Sequence, residues 1–317
     1  MELALLHPVH GYYSRTIGGI GRVGDFSTST TLDNSLGKAV YRWLLAEAAF
    51  LGSQPIVVIE PGIGTGALAK VILSLPSPWL RLQYFGVDLQ RDFSLLDKAV
   101  LRHRRFSRFS SIEEALQAAQ GRAVIISNEF VDAFPCRRLI RLENGWADIY
   151  LRFENGVWHQ ELLPAEVSFS CSAFDAGFPI NQIVEVHHSF REWLAKLSVG
   201  LTGGSVLTID YGGRPEEIYR RKPGGTVRGY FRHERMDIFR RVGQQDLTAD
   251  VNFVDLQVWG DEFGLITADY LTQREFVIRW LPGALKESSP AAAFTLDENG
   301  AGTAFKVLHQ RKSRVRL

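Results

Sequence analysis

The sequence predicts an α/β fold built on a mostly parallel sheet with helices on both faces. Three observations predict it. Short β-branched runs alternate with helical patterns from residue 56 onward, polar residues gather where those runs end, and the first run leads into three closely spaced glycines, "VVIEPGIGTGALAKVIL" (57–73). Alternation at this pace argues for strand–helix–strand units. The chain has 317 residues, 45% hydrophobic and 22% charged, so apolar material for a large core is ample.

Residues 7–30, "HPVHGYYSRTIGGIGRVGDFSTST", hold too many aromatic and apolar residues for a solvated linker and read as an ordered, glycine-hinged loop. Residues 31–51 carry apolar residues at helical spacing, with Thr30 or Thr31 as N-cap. "IVVIE" (56–60) reads as a buried strand, and "GALAKVILSL" (66–75) as a helix closed by Pro76. "LQYFGVD" (82–88) is a second strand, followed by the helix "DFSLLDKAVLRHR" (92–104). "RFSRF" (105–109) is a short third strand, "SIEEALQAAQ" (111–120) a helix and "AVIISNEF" (123–130) a fourth strand. "RRLIRLENGWADIYLRFENGVWHQELL" (137–163) places two Glu-Asn-Gly turns between runs of alternating polarity, the pattern of an antiparallel meander. Its aromatic residues serve either to dock a protein or to pack on the sheet. The helix "SFREWLAKLSVGL" (189–201) and the strand "GSVLTIDYGG" (204–213) come next. Residues 214–255 are charged and loop-like, and "TAFKVLHQRK" (303–312) reads as a closing edge strand.

Composition excludes several classes. A net charge of +1 supplies no field to draw the chain towards nucleic acid or an anionic membrane. The basic run "RHRRFSR" (102–108) reads as a helix end meeting a strand. Cys136 and Cys171 sit in no metal or redox spacing, which suits a reducing compartment. His187-His188 lacks a partner set for a metal and reads as a surface pair at a helix start. No metal site is expected. The first residues lack the apolar stretch of a signal peptide, and no run approaches the roughly 20 apolar residues that span a bilayer. The expectation is a cytoplasmic protein with no membrane contact and an oligomeric state the sequence leaves open.

In an open parallel sheet, ligands collect beyond the carboxyl ends of the strands. Glu60, Asp88, Asn128, Glu129, Asp210 and Tyr211 all fall at such ends. Gly62, Gly64 and Gly66 form a G-x-G-x-G turn into a helix, where the backbone can approach a ligand and free N–H groups face it. Asp88 lies 22 residues past Gly66, where a carboxylate can hold ribose hydroxyls. Alone, the glycine turn also suits a dinucleotide or a tight turn with no ligand, since Gly62-x-Gly64-x-x-Ala67 meets the relaxed fingerprint. Glu60 discriminates. Two residues before the first glycine, its carboxylate would repel a pyrophosphate and attract the cationic S-adenosylmethionine.

Further blocks join this one: "GYYS" and "GDFSTS" (11–14, 24–29), "SNEFVDAFPCRRL" (127–139), "LTIDYGG" (207–213), "GTVRGYFRH" (225–233), "DLTADVNF" (246–253) and "FKVLHQRK" (305–312). In this order and spacing the chain resembles the MidA-like S-adenosylmethionine-dependent methyltransferases. These are related to a mitochondrial complex I assembly factor that methylates an arginine. The resemblance implies a class I, Rossmann-like methyltransferase with a mostly parallel seven-stranded sheet, an N-terminal cap and an inserted antiparallel meander. It implies a cofactor-covering segment over 1–55, and a core over 56–317 with insertions at about 136–182 and 214–255. It implies cofactor roles for Gly24, Asp25, Phe26, Glu60, Gly62, Gly64, Gly66, Asp88 and Asn128. Glu129 and Asp132 match the active-site strand end, with capping of the next helix as the rival reading. Apart from the resemblance, His233 reads as a substrate contact, a base or a solvated or structural histidine. The chain departs from the family pattern at "TTLD" (30–33), Ile63 and Asn252. The function implied is methylation of an arginine side chain on a partner protein. The rival readings are a NAD-dependent oxidoreductase and a non-catalytic assembly factor that keeps the fold.

Overall fold

The structure, a computed structural model, describes residues 1–14, 34–52, 55–75, 81–89, 95–165, 171–232, 234–286, 293 and 295–312. Its first four strands are β1 (Ile56–Pro61), β2 (Leu82–Val87), β3 (Phe106–Phe109) and β4 (Arg122–Asn128). An antiparallel set follows, β5 (Arg137–Leu142), β6 (Gly145–Glu154), β7 (Val157–Pro164) and β8 (Ile183–Val186), and then β9 (Gly203–Gly213). The chain ends with β10 (Arg228–Phe231), β11 (Glu234–Met236), β12 (Asp246–Thr248), β13 (Val251–Asn252), β14 (Leu265–Thr272) and β15 (Phe305–Lys312).

The main sheet runs in the order β14-β15-β9-β4-β1-β2-β3, with β13 adding a short parallel pairing to β9. Pairings among β9, β4, β1, β2 and β3 are parallel, and β15 is antiparallel to both of its neighbours. This is the seven-stranded path expected of a class I methyltransferase. One expectation fails: β15 is an interior strand, not an edge. The edge is β14, "LITADYLT", whose alternation after Gly264 is the signal that sequence reasoning passed over.

Both faces of the sheet are covered because its strand residues are apolar on both sides. Val58, Val124, Ile126 and Leu207 join one buried cluster with the helices Ser35–Leu51, Ala67–Ser74 and Gln273–Trp280. Their neighbours Ile59, Ile125 and Val206 join the other, with Ile112–Ala118, His188–Gly200 and Phe253–Glu262. Successive side chains point to opposite faces, so continuous apolar runs bury a strand on two sides. Helix Ser35–Leu51 begins at Asn34, which makes no side-chain cap hydrogen bond, and Thr30 and Thr31 lie outside the described residues. The described helix after β2 is one turn, Lys98–Leu101, shorter than the periodicity predicts, and Asp97 caps it by accepting from Ala99 N–H.

The meander forms its own sheet, β7-β6-β5-β8. Residues 214–255, read as loop, instead contain the three-stranded sheet β11-β10-β12 and the start of helix Phe253–Glu262. Strands of three or four residues carry too little periodicity to read. Helix Glu2–Leu6 packs Leu5 and Ala4 with Tyr12 and with Leu247 of β12. His187 is buried, not a surface residue, and stacks on Phe190 with ring centroids 4.2 Å apart. Neither of its ring nitrogens has a partner among the described residues, and burial lowers its pKa to about 3.

Candidate active site

Beyond the carboxyl ends of β1, β2, β4 and β9 lies a cavity of about 740 Å³. Its floor is the turn after β1. Gly62, Gly64 and Gly66 have φ of +66°, +51° and +71°, the left-handed region that glycine adopts without strain. A Cβ on Gly62 would sit 2.5 Å from Phe130 Cδ2, so the turn is closed to side chains from behind. Gly62 and Gly64 line the cavity, whereas Gly66 does not. Gly66 is the N-cap of helix Ala67–Ser74, and a Cβ there would meet Leu96 Cδ1 at 2.5 Å, so its bare backbone allows close packing on that side chain. Asp88, just past the end of β2, accepts from Gly64 N–H at 3.1 Å and so ties the turn to the next strand end.

Glu60, next to last in β1, is 5% exposed and lines the cavity. Its Oε2 accepts the Tyr84 hydroxyl at 2.7 Å. It forms no ion pair with a described residue. Burial pushes its carboxyl up to about 8; the Tyr84 hydrogen bond opposes that shift and the Asp88 charge adds to it. Such a group is poised to release its proton when a cation arrives.

The opposite wall comes from distant stretches of chain. Asn128 and Glu129 end β4 and line the cavity, with Asn128 Nδ2 donating to Glu129 Oε1 at 3.3 Å. Glu129 has φ of +51°, an uncommon backbone state for a residue with a side chain, and its N–H donates to Ile209 O at 2.9 Å. Asp210, fully buried, accepts from the N–H groups of Phe130, Val131 and Asp132 through Oδ2 at 3.1–3.2 Å. Asp210 therefore builds the turn that carries Asp132 and is not itself a cavity residue. Asp132 Oδ2 accepts from the Tyr211 hydroxyl and, at 2.7 Å, from Thr248 Oγ1, while burial raises its pKa.

β10 and β12 complete this wall. Arg228 and Tyr230 lie two apart on β10, opposite Thr248 and Asp246 on β12, and all four line the cavity. Arg228 Nη1 holds Asp250 Oδ1 at 2.6 Å, and its guanidinium carbon lies 4.6 Å from the Tyr211 ring centroid. Asp246 Oδ1 accepts the Tyr13 hydroxyl at 2.7 Å, and burial pushes its carboxyl up to about 7.

Glu60, Gly62, Gly64, Asp88, Asn128, Glu129 and Asp132 thus meet at one cavity. Gly24, Asp25, Phe26 and His233 lie outside the described residues. Sequence reasoning missed Tyr13, Arg228, Thr248 and Asp246 as site residues. Each sits inside a block that carried the resemblance, which was their available signal.

The charge of the lining tests which ligand fits. Among the described lining residues stand six carboxylates, Glu60, Asp88, Glu113, Glu129, Asp132 and Asp246, and two cations, Lys196 and Arg228. Arg228 is already bound to Asp250. Burial holds Glu60 largely neutral near pH 7, so the lining opposes a diphosphate by its scarcity of uncommitted cations among the described residues. It suits a cation that carries ribose hydroxyls, whose arrival favours the ionised Glu60. S-adenosylmethionine fits these residues. Among the described residues, no group of His, Cys, Asp or Glu could hold a metal ion, and no helix is long and apolar enough to cross a membrane.

Comparison with known proteins agrees. A curated Drosophila melanogaster relative, "Protein arginine methyltransferase NDUFAF7 homolog, mitochondrial", is 25% identical over 80% of this chain. The chain spans 63% of that relative's length. The zebrafish (Danio rerio) protein arginine methyltransferase NDUFAF7, mitochondrial, is 26% identical over 87% of this chain and 71% of its own. A Burkholderia thailandensis crystal structure bound to S-adenosyl-homocysteine superposes with a TM-score of 0.83 at 24% identity, covering 98% of this chain and 86% of that one. It shares the fold.

The mitochondrial relatives overturn the expectation of a cytoplasmic protein. Few cysteines indicate a reducing compartment and do not choose among such compartments. The profile of the family described as "Putative S-adenosyl-L-methionine-dependent methyltransferase" matches residues 39–271. With that match spanning most of the chain, from helix Ser35–Leu51 to β14, this protein belongs to that family of S-adenosyl-L-methionine-dependent methyltransferases.

Proposed function

We propose that this chain methylates an arginine side chain of a partner protein, using S-adenosylmethionine. One observation carries the reading: among its described lining residues the cavity beside the glycine turn has six acidic side chains and one cation, Lys196, not already committed to Asp250. Relatives named as protein arginine methyltransferases support the choice of acceptor.

When bound, the cofactor supplies an electrophilic methyl carbon on a cationic sulfur. The chain's own residues hold and align. Gly62 and Gly64 offer backbone without side chains, Asp88 accepts from the ribose hydroxyls, and Glu60 with Asn128 faces the amino-acid portion. Orientation of this kind lowers a barrier by roughly 7–11 kcal/mol when reacting atoms are held close and in line. A guanidinium is charged throughout the neutral range and donates through all its N–H groups. Glu129 and Asp132 then accept those hydrogen bonds and turn one nitrogen towards the methyl carbon. Burial makes the Asp132 carboxylate the better proton acceptor of the ordinary kind, so the proton shed by the methylated nitrogen leaves to it.

Incubating the protein with radiolabelled cofactor and a mitochondrial extract tests the reading, with mass spectrometry of the labelled residue. Label on arginine, lost in Glu129→Gln, is the expected result. Label on another side chain, or activity in Glu129→Gln close to that of the unaltered protein, would overturn it.

A further inference from the structure

Asp246 borders the same cavity as Glu129 and Asp132, yet the cofactor roles above do not use it. It is 7% exposed, forms no ion pair with a described residue and accepts from the Tyr13 hydroxyl at 2.7 Å. Its β12 neighbour two residues on, Thr248, donates to Asp132 Oδ2 at 2.7 Å, so both carboxylates belong to one wall. The guanidinium on that wall, Arg228, is already held by Asp250 at 2.6 Å. The wall is rich in acceptors and poor in donors that remain to be used, which is complementary to a cationic group with several N–H bonds.

We propose that Asp246, oriented by Tyr13, is the specificity-determining residue of the acceptor subsite and selects a guanidinium over an uncharged group of the same shape. The inference rests on the arginine reading above and deepens it. The groups that face Asp246 are Tyr13 from the N-terminal turn, Asp132 from the turn after β4, and Arg228 and Tyr230 from β10. Burial and the Asp132 charge push its carboxyl up to about 7, while the Tyr13 hydrogen bond and Arg228 pull it down. A carboxylate with a raised pKa is neutral below that value and charged above it. The subsite therefore gains its preference for a cation as pH rises through 7.

The test uses the full chain saturated with S-adenosyl-homocysteine and two probes, the pentapeptide Gly-Gly-Arg-Gly-Gly and its citrulline counterpart, titrated by calorimetry. Citrulline replaces the charged guanidinium with a neutral urea of nearly equal shape. The expected result is at least tenfold tighter binding of the arginine peptide at pH 8, falling below threefold at pH 6. In Asp246→Asn the preference stays below threefold at both pH values, with S-adenosyl-homocysteine affinity within twofold of the unaltered protein. Tyr13→Phe removes the hydrogen bond that favours the charged form, so the midpoint of the pH dependence moves to higher pH. A merely structural tyrosine would leave that midpoint in place, and this arm decides even where Asp246→Asn does not fold. Equal binding of the two peptides at pH 8, or a preference that survives in Asp246→Asn, overturns the inference. Label on arginine in the extract experiment alongside equal peptide binding would sink the subsite alone. Label on another side chain would sink the arginine reading and the subsite with it.

Discussion

The two ends of the cavity are built on different plans. The proposed cofactor end is local: Glu60, Gly62 and Gly64 lie within five residues, and Asp88 reaches them from the adjacent strand through a 3.1 Å hydrogen bond. The proposed acceptor end is assembled from Tyr13, Glu129, Asp132, Tyr211, Arg228, Asp246 and Thr248, which fold together from across the chain. At the first end bare backbone at Gly62 and Gly64 is the tool, flanked by the Glu60 and Asp88 side chains. At the second, side chains are the tool, held by one another. The difference predicts that substitutions at the two ends fail differently, and the variants below are chosen to break that contrast.

The largest effect is expected at the cofactor end. In Gly62→Val, φ of +66° must be held by a β-branched residue, and its Cβ would lie 2.5 Å from Phe130 Cδ2. Left-handed backbone and steric strain of this kind cost about 1–3 kcal/mol each. S-adenosyl-homocysteine affinity is expected to fall about 100-fold or more, read by calorimetry. An affinity within threefold would show that the turn has slack, and the contrast between the two ends would be lost.

Asp132→Asn comes next and fails the other way. Its side chain receives Tyr211 and Thr248 and lies on the turn built by Asp210. Loss of a positioned proton acceptor costs roughly 100- to 10,000-fold in rate. The expected result is a fall in kcat of about 100-fold or more, with S-adenosyl-homocysteine affinity within twofold. A matched loss of affinity would show that the two ends are one unit.

The same contrast explains what the sequence revealed. Strand–helix alternation and two-sided apolar runs made the sheet legible, because burial on both faces leaves Val58, Ile59, Val124, Ile125 and Ile126 nothing polar to show. The glycine turn and Glu60 were legible because their geometry is set by neighbours along the chain. Asp246 and Thr248 were not, since β12 has three residues and its partner β10 has four, too few for a period to register. Nor could sequence position show that Asp210 is consumed by three backbone N–H groups while Asp132, in the turn it builds, faces the cavity. β15 read as an edge because its ends are basic and polar, although its middle, Val307 and Leu308, is buried on both faces.

Glu60→Gln separates binding from stability within the cofactor end. A charge-assisted hydrogen bond contributes about 1.5–3 kcal/mol, so S-adenosyl-homocysteine affinity is expected to fall about tenfold at pH 8. The unliganded fold responds oppositely. Its carboxyl is held up to about 8, so the unfolded chain ionises first, and Glu60 erodes stability as pH climbs from the ordinary carboxylate range to about 8. The amide has no such cost. At pH 8 its Tm is expected to rise by about 1–2 °C for each kcal/mol relieved in a chain of this size. A lower Tm would show that the Glu60 carboxylate is already compensated in the unliganded protein.

The smallest effect tests how Glu60 is set. Tyr84 is fully buried on β2, and its hydroxyl donates to Glu60 Oε2 at 2.7 Å, the contact that opposes the effect of burial. Tyr84→Phe leaves shape and packing nearly intact and removes that donor alone. The carboxyl then ionises at still higher pH, so the pH at which S-adenosyl-homocysteine affinity reaches its upper plateau moves up from about 8. Near pH 7 the affinity is expected to fall about threefold, somewhat under 1 kcal/mol, and to recover at pH 9 as the carboxyl ionises. The recovery is the diagnostic feature. A loss equal at pH 7 and pH 9 would mean that Tyr84 shapes the cavity directly, and that the cofactor end, like the acceptor end, depends on side chains holding one another.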